Sequence, residues 1–470
     1  MSKLLSSLGK SVFKKVNNKN KKENKIELLA PAGDLNKLKI ALAYGADAVY
    51  CGVPDFSLRV RINRFLPRDL KSGVAYAHKL NKKVYVTLNI YAHNWHLKKI
   101  PKHIDFLRRI KVDGIIISDP GVMNLIKRSW PEAEIHLSTQ ANATNYEAVK
   151  FWLSQGIKRI ILAREVTLEE IVEIKKAVPT AELEYFIHGA MCMSYSGRCI
   201  LSKWMTGRSA NLGDCAQPCR WAYQEICNLK TETQKTRYLL AHKAEKIAKS
   251  SIKQEAQKNY KEMSVIDDQN RFEMEVEEDA HGTYFFNSYE MNLIEHLDKL
   301  IEAGVISLKI EGRAKSAYYL AVVTRAYRKV LAGLENKLSK KALGKIIAEQ
   351  KEELDNLVHR GYSTGFLLGN EPAHNFTGCN NETPFEFVGE VLGKEENLNI
   401  VRVHNQIFLQ DELEAITPDK NIPLKIKKIL NYQKKPVISA HGGHQQYYYF
   451  EFNKILEKMT LMRSKRIPKA

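Results

Sequence analysis

The stretch Glu182-Leu-Glu-Tyr-Phe-Ile-His188 reads as a β-strand with polar groups on one side. Alternation along a strand places Glu184, Phe186 and His188 on a common face. The strand ends at Gly189 and runs straight into a cysteine-bearing segment, Cys192-Met-Ser-Tyr-Ser-Gly-Arg-Cys199. Upstream lie six more short apolar runs: Ile26–Ala30, Ala48–Gly52, Lys83–Asn89, Gly114–Asp119, Glu134–Gln140 and Arg159–Ala163. An eighth follows at Ser307–Arg313. Amphipathic stretches separate them, at Asp34–Tyr44, Pro67–Leu80, His96–Ile110, Tyr146–Gln155, Thr167–Val178 and Glu290–Ala303. The period of about 25–35 residues is that of a βα unit. Eight units imply an α/β fold, a TIM-like (β/α)8 barrel. An open doubly wound sheet is the alternative, but no Gly-x-Gly-x-x-Gly follows the first run.

Roughly a hundred residues separate the seventh and eighth runs, so the barrel carries a Cys-rich insertion after strand 7, over 189–283. Its middle, Lys230 to Met263, is rich in Lys, Gln, Ser and Thr and reads as a helical excursion or a mobile loop. Helices at Ser316–Leu331 and Ser339–His359 complete the barrel domain, 26–362. Beyond it, short alternating runs at Phe385–Leu392, Asn399–Val403, Gln406–Leu413, Leu424–Ile429 and Gln446–Phe452 predict a small C-terminal all-β domain, 363–458. The ends, 1–25 and 459–470, read as basic tails.

Lys plus Arg number 73 against 53 Asp plus Glu in 470 residues, a formal charge of +20. That excess suits a polyanionic partner such as RNA. No apolar run of about 18 residues occurs, so no membrane span is expected. Nor is there a secretory h-region, which points to the cytoplasm. Four of the seven cysteines, Cys192, Cys199, Cys215 and Cys219, crowd behind strand 7. In a chain without an export signal such crowding favours a metal centre, an iron–sulfur cluster or zinc, over disulfides or idle buried thiols. Cys227 is a weaker fifth candidate, and Cys51 and Cys379 read as ordinary residues.

Polar residues collect at the C-terminal ends of four runs: Glu184 and His188; His136, Ser138 and Gln140; Thr87 and Asn89; Lys309, Glu311 and Arg313. That is the end at which TIM-barrel sites form. The bland alternative is an ion-pair network capping the barrel. The Tyr447-Tyr448-Tyr449 stripe either stacks on bases or fills the β-domain core.

The segment Glu184-Tyr-Phe-Ile-His-Gly-Ala-Met-Cys192-Met-Ser-Tyr-Ser-Gly-Arg-Cys199 resembles the signature of the peptidase U32 family. Ile26-Glu-Leu-Leu-Ala-Pro-Ala-Gly33, His136-Leu-Ser-Thr-Gln-Ala-Asn142, Ala163-Arg-Glu165 and Leu308-Lys-Ile-Glu-Gly-Arg313 fit the same family. The resemblance spans about Ile26 to Tyr362 and continues more weakly into the β domain. Glu278-Asp-Ala-His-Gly-Thr-Tyr284, His359-Arg-Gly-Tyr362 and Thr364-Gly-Phe366 resemble the branch that hydroxylates the wobble uridine of tRNA to 5-hydroxyuridine with prephenate. The resemblance implies tRNA and prephenate as partners, and a 4Fe-4S cluster on Cys192, Cys199, Cys215 and Cys219, as in the related ubiquinone hydroxylation proteins. It also keeps a collagenase-like peptidase in play, although neither His-Glu-x-x-His nor Gly-x-Ser-x-Gly is present. A scaffold that binds RNA without catalysis is the third possibility. On the hydroxylase reading a dicarboxylate needs cations, for which Arg164, Arg313 and Lys309 are the candidates, with Arg59 and Arg61 behind them. Gln140 and Asn89 add neutral contacts, and His188, Glu184 and Glu311 are candidates for proton transfer. An electron- or oxygen-donating protein would be a further partner.

Overall fold

Short β-branched runs such as Gly114-Ile-Ile-Ile117 form the inner wall of the protein. Eight parallel strands, β1 (Glu27–Ala32), β2 (Ala48–Gly52), β3 (Lys83–Leu88), β4 (Gly114–Ile117), β5 (Ile135–Leu137), β6 (Arg159–Ile161), β7 (Glu182–Gly189) and β8 (Val305–Ile310), pair in sequence order. β8 pairs with both β1 and β7, which closes the sheet into a barrel. A computed structural model describes residues 25–53, 56–57, 65–192, 194–221, 288–370, 381, 383–443 and 447–465; for 204, 220, 223–226, 263–267, 273–276, 278–279 and 282–283 it describes the backbone alone. The N-terminal tail to residue 24, Arg59, Arg61, Cys227, the Lys-rich stretch up to 262 and Cys379 lie outside the described residues.

The helices begin where side chains cap them. Asp34, Asp119, Asn145, Ser316 and Ser339 each accept from a backbone N–H in the first turn. Thr167 and Glu170 form a reciprocal capping box. One expected helix needs correction. Glu290–Asn292 is a strand, antiparallel to the end of β7, and the helix spans only Leu297–Glu302. Glu290, Met291, Leu293 and Ile294 are all buried, a pattern that so short a run cannot assign to strand or helix. The insertion also holds a short helix, Leu201–Thr206, and three antiparallel strands, Tyr223–Ile226, Met263–Asp267 and Glu273–Val276.

The C-terminal domain is a second, antiparallel barrel. Strands Glu412–Ile416, Leu461–Lys465, Phe385–Glu395, Leu398–Val403, Tyr448–Phe452 and Asn421–Leu430 pair in that order, and the last pairs back with the first. The tail at 459–470 is therefore no tail as far as Lys465. Its basic residues masked two core side chains, Leu461 and Met462, both fully buried. Of the tyrosine stripe, Tyr448 packs in the core of this domain with Phe450 and Phe452, while Tyr449 meets the half-buried Tyr447 edge-on beneath Lys434 on the other face.

This small barrel is bolted to the helices that wrap the large one. The Tyr44 hydroxyl donates to the carbonyls of Ile416 (2.6 Å) and Met459 (3.1 Å). Arg325 donates to the Thr417 carbonyl (2.8 Å). Arg463 joins Glu353 (2.9 Å) and Glu414 (2.6 Å) and donates to the Tyr318 hydroxyl (3.2 Å). Replacing Arg463 by Met removes the cation from Glu414 and leaves Glu353 with Arg325 as its remaining cation at this joint. An expected loss of about 2–3 kcal/mol, below that of a fully enclosed pair because Glu414 keeps some solvent, is measurable by urea denaturation. An unchanged midpoint would contradict the anchoring role.

Candidate active site

The barrel interior is charged where most such barrels are aliphatic. Glu184 is fully buried and accepts from Lys309 Nζ (2.6 Å), Ser307 Oγ (3.1 Å) and Arg159 Nη1 (3.3 Å). Arg159 also meets Glu27 at 2.6 Å, and Glu27 accepts from the hydroxyls of Tyr85 (2.7 Å) and Ser307 (2.8 Å). Below them His136 packs edge-on against Tyr85 and pairs with Glu134 at 2.9 Å. Burial works to raise the Glu184 carboxyl, but Lys309 and Arg159 more than offset it, and the group sits below the usual carboxylate range. Burial pushes the Lys309 ammonium below its usual range, against the pull of Glu184.

Above this stack the strand ends open into a small cavity of about 110 Å³. Tyr50, Thr87, Asn89, Ser138 and Gln140 line it with Lys309, Glu311, Arg313, Arg164 and Phe186. Arg313 donates to the Thr87 hydroxyl (3.2 Å), and Tyr50 donates to Glu311 Oε2 (3.1 Å). Asn89 donates to Ser138 Oγ (3.2 Å). The Arg164 guanidinium lies 3.8 Å over the Phe186 ring, and Lys309 Nζ sits 4.4 Å over Tyr50. Three cations thus converge on one small polar cavity. Gln140 arrives on a 3-10 turn, Thr139–Ala141, rather than on the strand.

The cysteine lobe forms the next wall. Cys192, Cys199, Cys215 and Cys219 all line a second cavity of about 110 Å³, which shares Gln140, Arg164 and Cys192 with the first. The lobe is stapled to the rim, where the Tyr91 hydroxyl donates to the carbonyls of Gln140 (3.0 Å) and Gly197 (2.7 Å). Gly197 lies at φ +79°, and a Cβ there would collide with the Gln140 carbonyl and the Tyr91 hydroxyl. The sulfurs line one cavity without meeting at a point: among the described residues no three His, Cys, Asp or Glu side chains are gathered closely enough to hold an ion. The donor set itself suits a soft metal centre, since four sulfurs and, among the described residues, no carboxylate or imidazole line the cavity. The Gln217 backbone N–H donates to Cys215 Sγ at 3.3 Å.

Two expected proton-transfer residues are corrected. His188 does not reach the cavity. Phe186 pairs with Lys309 but His188 pairs with Ile310, so Ile187 is an extra residue in β7. This bulge shifts the alternation by one and turns His188 outward. Its ring packs against Tyr319, Tyr327 and Tyr362, and Nδ1 lies 3.2 Å from the Tyr327 hydroxyl. Burial drives its pKa down to about 3, so the imidazole is neutral at pH 7. Glu184 lies one layer beneath the cavity and acts by holding Lys309. Of the three, Glu311 alone lines the mouth. Tyr50 and the Glu27–Arg159–Ser307 stack were missed, although Tyr50 occupies the inward phase of Ala48-Val-Tyr-Cys-Gly52.

A wider cleft of about 640 Å³ on the C-terminal domain is lined by Lys425, Lys454, Arg463 and Lys465 together with Asp411, Glu412 and Glu414, of which Glu414 and Arg463 are already paired with each other. Among the described residues no helix is long and apolar enough to cross a membrane.

Fold and site together define a closed (β/α)8 barrel with a cationic mouth, a cysteine lobe behind its seventh strand and an appended β-barrel. Residues 33–376 match Peptidase family U32 and residues 383–463 match the Peptidase family U32 C-terminal domain, and the chain belongs to that family. The tRNA hydroxylation protein P of Haemophilus influenzae is 41% identical over 435 residues, covering 89% of this chain and 92% of that protein. The protein of the same name in Escherichia coli is 40% identical over 438 residues, with 89% and 92% covered. A 23S rRNA 5-hydroxycytidine synthase of Escherichia coli is 32% identical over 347 residues, covering 73% of this chain and 45% of that protein.

The folded pKa of Glu184 lies below its unfolded value of about 4.3, so the stability it contributes is present above that pH and lost as pH falls through the folded value. The thermal midpoint, followed from neutral pH down to about pH 3, should fall steeply below that point, and Glu184→Gln should flatten the acid limb. An equally steep limb in the variant would contradict the assignment. Lys309→Met leaves the buried carboxylate with Arg159 as its one remaining cation, at an expected cost of roughly 3 kcal/mol by chemical denaturation. Pairing it with Glu184→Gln should recover much of that loss.

Proposed function

We propose that this protein hydroxylates a pyrimidine of RNA, and specifically that it converts the wobble uridine of tRNA to 5-hydroxyuridine with prephenate as co-substrate. The observation carrying the proposal is the pair of joined cavities, one lined by Lys309, Arg313 and Arg164 and the other by four cysteines. The names of the relatives, which act on tRNA and ribosomal RNA, support the substrate class. So does the net charge of +20, which suits phosphate contacts.

Replacing C5–H by C5–OH adds an oxygen atom and removes two electrons from the base, so the reaction also consumes an oxygen source and a two-electron acceptor from outside this chain: dioxygen with a reductant, or water with an oxidant. A 4Fe-4S cluster on Cys192, Cys199, Cys215 and Cys219 would supply redox capacity that side chains lack, whereas zinc, the alternative metal on the same ligands, has no redox chemistry to offer. The remaining tasks fall to this chain's own groups. Arg313, Arg164 and Lys309 hold the carboxylates of the co-substrate. Asn89, Ser138 and Gln140 offer hydrogen bonds to the edge of a flipped base. Glu311, which accepts from Tyr50, is placed to take the proton leaving C5. Peptide cleavage is the weaker reading, because among the described residues no His, Asp or Glu lines the cysteine cavity to activate a thiol.

Anaerobic purification followed by absorption spectroscopy and iron and sulfide analysis tests the cofactor. A brown protein with about four irons is expected, and zinc alone would overturn the cluster. Deleting the gene and analysing tRNA nucleosides by mass spectrometry tests the reaction. Loss of 5-hydroxyuridine is expected, with recovery by the intact gene but not by Arg313→Ala; unchanged 5-hydroxyuridine in the deletion strain would refute the proposal.

A further inference from the structure

Two exposed aromatic residues flank the cavities, and neither serves a core. Tyr195 lines the cysteine cavity with 65% of its surface open to solvent. Trp95 is 52% exposed and sits on the short helix Asn94–Leu97, which follows the C-terminal end of β3 and so belongs to the same rim. The indole is pre-set rather than loose. It stacks on His96 with centroids 3.5 Å apart, and Lys99 Nζ stands 5.3 Å over the ring. His96 is buried and accepts from the His93 backbone N–H at 2.9 Å, which anchors the stack.

The two aromatics belong to one assembly. Tyr91, four residues before Trp95, ties this segment to Gly197 of the cysteine lobe through its hydroxyl and to the Asn211 carbonyl through its backbone N–H. Gly197 is two residues from Tyr195, and Asn211 lines the same cavity. Four residues of chain span at most about 14 Å. An exposed indole, an exposed phenol and a lysine ammonium beside a small polar cavity form a constellation suited to unpaired nucleotides: rings for base faces, a cation for phosphate.

We infer that Trp95 and Tyr195 are stacking platforms for the unpaired nucleotides flanking the base that enters the barrel mouth, so that the protein selects single-stranded loops over duplex. This rests on the reading that the substrate is RNA. It assigns recognition of the loop to the β3 rim and the cysteine lobe, while the basic surface at large provides affinity without preference for strandedness.

The test is equilibrium binding of the full-length protein to a short RNA hairpin with an unpaired loop and to a blunt RNA duplex of equal charge. Trp95→Ala and Tyr195→Ala should each weaken hairpin binding on the order of 10-fold while leaving duplex binding and the salt dependence unchanged. Trp95→Phe and Tyr195→Phe should restore most of the hairpin affinity, which a fold defect would not allow. Tryptophan fluorescence should be quenched by the hairpin and less so in Trp95→Phe. Hairpin binding unaffected by both alanine variants, or equal losses on hairpin and duplex, would overturn the inference. If the wild-type protein shows loop-selective, Trp95-dependent binding yet 5-hydroxyuridine persists in the deletion strain, the platform stands and the proposed reaction falls.

Discussion

A carboxylate without water must be met by cations, and in this protein that requirement organises the centre of the barrel. Glu184 is fully enclosed between Lys309 and Arg159. Removing either cation leaves the enclosed carboxylate with only one partner of opposite charge in a medium of low polarity, a cost of roughly 3 kcal/mol. The same contact fixes where the Lys309 ammonium stands, above Glu184 and over the face of Tyr50. A lysine on a flexible stem becomes a fixed positive pole at the floor of the mouth. Arg313 and Arg164 complete a cationic ring whose members are held by Thr87 and by the Phe186 face. The ion-pair network and the site are therefore one object in two layers: the lower layer is satisfied internally and the upper faces the cavity.

The cysteine lobe depends on that frame in turn. Gly189, at φ +107°, lets β7 pass within 2.6 Å of the Glu311 carbonyl as judged from a Cβ position that only glycine leaves empty. Tyr91 then clamps the lobe to the turn carrying Gln140. The outward turn of His188 belongs to the same economy. A bulge at Ile187 sends the imidazole into a cage of tyrosines, where it supports the helix layer rather than the chemistry.

Much of this was legible before any coordinates. Each of the eight runs became a strand, because period-2 apolar patterns flanked by caps and turns are local properties. The face shared by Lys309, Glu311 and Arg313 followed from alternation alone, and all three line the mouth. The same rule failed at His188, since a bulge is set by register against β8 and leaves no local trace in Glu182-Leu-Glu-Tyr-Phe-Ile-His188. It failed again at Glu290, where the choice of strand depends on the free edge offered by the end of β7. The strand at Leu461–Lys465 was hidden because Arg463 reads as a tail residue until Glu353 and Glu414 are seen around it.

The amino-acid order alone determined the repeat of βα units, the placement of polar groups at strand ends and the clustering of four cysteines behind the seventh strand. Periodicity, capping and spacing act over a few residues, so the chain carries them openly. Tertiary structure decided which polar groups meet. Glu27, Arg159, Glu184, Ser307 and Lys309 come from four strands spread over the whole barrel domain and form one network only when the barrel closes. It decided too that the sulfur-lined cavity and the cationic mouth share a wall. Burial, charge pairing and the phase of a strand past a bulge are properties of packed neighbours, and distance along the chain does not encode them.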